Sequence, residues 1–261
     1  MNPCIIQRKN LHNKLWKIVQ PNCTWQIDAE LEEQEFAYFN ECGHNLPIEL
    51  YTTPSLHLLC QAVKERLHVT DDVVFLLSNR ARVIGTCIVS GNKSYPSIII
   101  ISSGAVNTLN EKELSFLIGH ELGHVISRDG VVGFFFRQIY PKDEVPQCLN
   151  HEYHVLRLLS ELEADRYGFL ACGSDIDTFL SFMYKISGGI DIHKFGVSSS
   201  TFLLANLMHV QKYMKGGWVG KTHPANALRA EALKIFATSK SGSELRTRMR
   251  PIIDSIFMCN D

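Results

Sequence analysis

His120-Glu121-Leu122-Gly123-His124 sets two imidazoles four residues apart, with a carboxylate directly after the first. At about 100° per helical residue, that spacing brings both rings onto one face, one turn apart, where two ring nitrogens can grip a single zinc ion. Glu121 then stands beside the first ligand and can reach a water held by the metal without ligating the metal itself, which is the position a general base needs. An HExxH arises by chance in about 3 % of chains with this His and Glu content, so the surroundings of the motif have to carry the argument. A hydrolytic zinc site needs a third protein ligand and one open position. Glu161-Leu162-Glu163-Ala164-Asp165 offers three carboxylates for that task. Glu161 and Asp165 share a helical face, whereas Glu163 is turned about 200° from Glu161 and should point to solvent. The expected metal ligands are therefore His120, His124 and Glu161. Asp165 is expected to accept a hydrogen bond from a ligand imidazole and fix its tautomer. Ala164, beside that face, leaves room for the two helices to approach closely.

Two long helices must carry these residues, and the sequence supplies both. Asn110 with Glu113 has the spacing of a capping box, and Leu114, Leu117, Ile118, Leu122 and Val125 recur at three and four. This helix should stop near Asp129-Gly130. The second runs from about His154 to Ala171 through Val155, Leu158, Leu159, Leu162, Phe169 and Leu170, and ends at Cys172-Gly173. Upstream, Thr53-Pro54 opens a helix with Leu56, Leu59, Cys60, Val63 and Leu67 on its apolar side. Three β-rich runs follow, Val73 to Leu77, Val83 to Val89 and Ser97 to Ser102, separated by turn-prone residues. They predict a small, mainly antiparallel sheet beside the HExxH helix. Helical patterns at Ile176 to Ile186, Ser199 to Tyr213, Pro224 to Phe236 and Leu245 to Phe257 give the fold class: α+β, mostly helical. Residues 1–50 are expected to form an N-terminal extension with a helical segment, Glu30 to Glu35 lying on an exposed helix face, and residues 51–261 the domain that carries the site.

Composition excludes several other functions. The chain has 261 residues, 45 % of them apolar, and 26 Lys+Arg against 27 Asp+Glu give a formal charge of -1. Such a balance makes no global field for nucleic acid or anionic lipid, so no nucleic-acid partner is expected. No apolar run reaches the roughly 18 residues of a spanning helix, and the first residues lack the core and cleavage site of a secretory signal. The basic residues Arg8, Lys9, Lys14 and Lys17 read as a solvated arm. Eight cysteines without a CxxC pair or dense spacing fit reduced thiols, and hence a soluble cytoplasmic protein. His151-Glu152-Tyr153-His154 has metal-binding residue types, but no supporting block accompanies it, and solvated loop residues are the better reading.

HELGH, followed by Glu161-Leu162-Glu163-Ala164-Asp165 as ExxAD and then by Thr222-His223-Pro224 with Arg229, resembles the M48 family of zinc metallopeptidases. The stretch Ile98 to Gly104, with Glu113-Leu114, is similar to that family's strand, turn and active-site helix, so the resemblance spans Asp72 to Leu233. It implies one zinc ion per chain, protein or peptide substrates, and peptide-bond hydrolysis by an endopeptidase, with residues 51–261 as the metallopeptidase domain. It implies Glu161 as third ligand, Glu121 as catalytic base, and His223 and Arg229 lining the active site. An imidazole and a guanidinium there can stabilise the negative charge that builds on the carbonyl oxygen. Alternatively, Thr222 and Pro224 do no more than start a helix, as cap and first-turn residue. The chain departs from the family at Gly85-Thr86-Cys87-Ile88, which replaces an Asn-Ala-Phe-Ala-like strand, and lacks the Ser-Arg pair that commonly precedes the third ligand. Substrate preference and cleft shape are thereby open, since an extended peptide adds to that edge strand. Two other readings stand beside the peptidase: a zinc-stabilised peptide-binding or chaperone-like module, and a latent protease whose cleft is covered by the N-terminal arm or by a loop between Gly130 and His151.

Overall fold

The computed structural model describes residues 2–20, 26–91, 95–140, 145–188 and 223–258, with Lys194, Gly196, Ser198, Thr201, Leu204 and Met208. Most of the helix expected at Ser199 to Tyr213 lies outside the described residues. A run of isoleucines between two serines dictates the centre of the sheet. β4 (Ser97–Ser102) is buried along its whole length, as a strand covered on both faces must be. It lies between β2 (Val73–Ser78) and β3 (Gly85–Ile88), and β1 (Leu46–Pro47) completes the order β1-β2-β4-β3. β1 pairs with β2 and β3 with β4 antiparallel, Gly85 facing Ile101, while β2 and β4 run parallel with Val73 facing Ser97. Two of three pairings are antiparallel, in keeping with the expected sheet. The central one is parallel because the chain leaves β2 for the edge and turns back through a hairpin into the middle.

Alternation along β4 divides the helices between its faces. Ile99 and Ile101 join α3 (Pro54–Arg66) and α5 (Glu111–Ser127) in the largest core. Ile98 and Ile100 face the other way, where Tyr38 and Cys42 of α2 (Gln26–His44) pack. The short α4 (Ser103–Thr108) links β4 to α5. α5 begins as its sequence demands: the Asn110 side chain accepts from the Glu113 amide at 3.0 Å, and the Glu113 carboxylate accepts from the Asn110 amide at 2.8 Å.

Three expectations need correction here. Asp129-Gly130 does not open a loop: Arg128 takes a left-handed φ of 57°, and α6 (Asp129–Ile139) starts at once, burying Val131, Val132, Phe135 and Phe136. α7 (Gln147–Ala171) begins earlier than its clearest periodicity, so His151, Glu152, Tyr153 and His154 are helical rather than loop residues. The basic N-terminal stretch is no solvated arm. It forms α1 (Pro3–Val19), capped by Asn2, whose Leu11, Leu15 and Val19 share a second core with α6, α7 and α10 (Gly242–Phe257). Arg8 is buried with them because two acidic side chains meet it there. α8 (Ile176–Gly188) and α9 (Asn226–Thr238) complete the body. Among the described residues, no helix is long and apolar enough to cross a membrane.

Candidate metal centre

Small side chains let α5 and α7 come close enough to share a site. A Cβ on Gly123 would stand 2.9 Å from the Ala164 Cα, so the middle of HELGH and the alanine of ExxAD form the contact where the helices touch. On one side of that contact, His120 and His124 of α5 face Glu161 of α7. The two Nε2 atoms are 3.3 Å apart, His120 Nε2 lies 3.4 Å from Glu161 Oε2, and His124 Nε2 lies 3.7 Å from Glu161 Oε1. Their ligand atoms all fall within 4.8 Å of one another. Glu161 Oε2 is buried without a hydrogen-bond partner. Lone pairs so gathered repel one another unless a cation lies among them, and two imidazoles with a carboxylate are the donor set zinc takes at such sites. The residues therefore fit the metal.

A chain of buried groups fixes the ring of His120. A carboxylate can only accept, so His120 Nδ1 donates to Asp165 Oδ1 at 3.0 Å, which turns Nε2 towards Glu161. Arg229 in turn grips Asp165 with both arms of its guanidinium, Nε to Oδ2 at 2.8 Å and Nη2 to Oδ1 at 2.5 Å. Burial works against the Asp165 anion, but Arg229 outweighs it and holds the carboxyl below its ordinary range. Burial likewise disfavours a charged His120, yet Asp165 and Glu161 overcome it and raise the ring to about 10. His124, buried with weaker support, is pushed down to about 4.

Glu121 stands at the floor of the same cleft, where burial raises its carboxyl to about 7. Gly85 of β3 makes its place: a Cβ there would come within 2.9 Å of the Glu121 Cδ. The cleft encloses about 520 Å³ between the outer edge of β3 and the N-terminal half of α7, and Thr86, Cys87, Tyr153, Arg157 and His223 are among its walls. His223 is half exposed, with Nε2 3.5 Å from Glu161 Oε1. α9 starts at Asn226 with Ala225 as its cap, so neither His223 nor Pro224 serves as the start of that helix.

The structure thus brings His120, Glu121, His124, Glu161 and His223 to one cleft and sets Asp165 behind His120. Arg229 stands one shell further back, its guanidinium engaged with Asp165. Glu163 is a correction: instead of facing solvent it is 4 % exposed and pairs with Arg8. His151 and His154 lie outside the metal group and the cleft; His151 Nε2 instead bonds to the Phe257 carbonyl at 3.1 Å. In the sequence Gly85 stands out only as part of the strand that departs from the family, and Arg8 only as one of a group of basic residues; neither pattern points to the neighbour each meets in the structure.

Residues 88–146 match the model of peptidase family M48. The match contains His120, Glu121 and His124; Glu161, Asp165, His223 and Arg229 lie beyond it. No curated protein matches the chain.

Proposed function

We propose that the chain, whose residues 88–146 match the model of peptidase family M48, is a zinc-dependent endopeptidase acting on protein or peptide chains. The observation that carries this reading is the convergence of His120, His124 and Glu161 around an orphaned carboxylate oxygen, with Glu121 on the floor of the same cleft. Zinc, when bound, supplies Lewis acidity that polarises a carbonyl and makes a water easier to deprotonate. Glu121 takes the proton from the attacking water. Its buried setting favours the protonated carboxyl, so the proton is retained and then delivered to the leaving amine. His223, exposed at the lip, donates a hydrogen bond to the oxygen on which charge develops. Asp165 and Arg229 act at a distance: Arg229 fixes Asp165, and Asp165 fixes the ring of His120. The six described cysteines are free thiols, which supports a reducing, cytosolic setting.

Incubating host lysate with wild-type protein and with Glu121→Gln, then surveying new protein termini by mass spectrometry, tests the proposal. New termini in the wild-type sample alone are expected. Equal termini in both samples would remove Glu121 from the chemistry, and none in either, with zinc shown to be bound, would leave a chain-binding module or a latent protease.

A further inference from the structure

Four residues before Glu161, one turn along α7, Arg157 lines the cleft with an exposed guanidinium. Its Cζ lies 5.9 Å from the Tyr153 ring centroid, a cation–π contact that steadies the side chain against the wall. The other guanidiniums near the site are already neutralised: Arg8 by Asp129 and Glu163, Arg229 by Asp165. Of the carboxylates that line the cleft, Asp129 pairs with Arg8 at 2.7 Å and Glu161 lies among the imidazoles. Among the described residues, Arg157 forms no ion pair, and it is the one Lys or Arg of the cleft wall.

We infer that Arg157 selects substrates with an Asp or Glu side chain one or two residues from the bond to be cut. This rests on the peptide reading of the cleft given above. The placement follows from lengths. One turn of α7 separates Arg157 from Glu161 by about 6 Å along the helix axis. An extended peptide repeats side chains on one face about every 6.6 Å. A peptide with its scissile carbonyl at the metal end therefore brings a nearby side chain to Arg157. A guanidinium recognises a carboxylate by two parallel hydrogen bonds, which a neutral amide of the same shape cannot match. The group is exposed, so solvent screening limits the discrimination to about tenfold, and added salt reduces it.

A free C-terminal carboxylate shares this chemistry, so the test uses peptides blocked by acetylation and amidation alongside versions with free ends. Sets differing only in Glu, Gln or Lys at the positions flanking a cleaved bond are compared with zinc-loaded wild type, Arg157→Ala and Arg157→Glu by kcat/KM. The same peptides are titrated by fluorescence anisotropy onto Glu121→Gln and Glu121→Gln/Arg157→Glu, which reads binding without turnover. Thermal melting and zinc content show that each variant is folded and loaded. Blocked Glu peptides should exceed Gln peptides by about tenfold, Arg157→Ala should level them, and Arg157→Glu should favour Lys. An unchanged Glu to Gln ratio in Arg157→Glu overturns the inference, as does a preference that vanishes with amidation. Charge-dependent binding without cleavage would keep Arg157 in this role and reject hydrolysis; cleavage without charge preference would do the reverse.

Discussion

Glu161 and Glu163 stand two residues apart on one helix, both buried, and their surroundings differ in kind. Glu163 turns towards α1 and meets Arg8, a guanidinium that also reaches Asp129 at 2.7 Å. Its charge is matched by protein. Glu161 turns towards α5 and meets three imidazoles, with one oxygen buried and unpartnered. Burial opposes its charge, and His120 and His124 pull its carboxyl back well below the ordinary range. A buried carboxylate already met by arginine holds the fold together. One gathered with imidazole nitrogens, an oxygen left unpartnered, stands where a metal ion could be held.

Substitutions should separate the two roles. Glu161→Ala should lose zinc and lower peptide turnover by about a thousandfold or more, with little change in the melting temperature of the metal-free protein. Metal analysis after dialysis and a peptide assay read both effects. Glu163→Ala should keep its zinc and lose about 2 kcal/mol of stability, because the buried Arg8 is left with Asp129 as its one carboxylate partner. Urea unfolding of the metal-free forms measures that loss. Chelation should cost wild type about 2.7 kcal/mol when zinc had been present at a hundred times its dissociation constant, and should leave Glu161→Ala unaffected. Thermal melts with and without chelator give the comparison. The smallest effect is expected of Asp165→Asn, which keeps the shape but weakens the hold on His120, for a loss of about tenfold or somewhat more in zinc affinity by competition with a chelating dye.

What could be read from sequence was what local spacing controls. The capping box at Asn110, the shared face of His120 and His124, and the shared face of Glu161 and Asp165 are set within one helical turn, and the structure keeps all three. The isoleucine run of β4 marked a strand by composition alone. Glu163 failed because helical phase tells which way a side chain points and not what is waiting there: its partner is 155 residues away. Arg8 failed for the same reason, as its basic neighbours resemble a solvated arm until α1 docks. α6 was hidden by Asp129-Gly130, a pair that reads as a stop although Arg128 bears the left-handed residue that breaks the helix. Arg229, expected to line the active site, is instead held by Asp165 and is not among the residues of the cleft wall; that engagement depends on how α9 meets α7, which no motif encodes.

Calorimetric titration of zinc into metal-stripped wild type, Glu161→Ala and Glu163→Ala tests the assignment at its centre. One zinc ion should bind tightly to wild type and to Glu163→Ala, and none to Glu161→Ala at matched protein and zinc concentrations. Tight binding by Glu161→Ala together with its loss in Glu163→Ala would contradict the account.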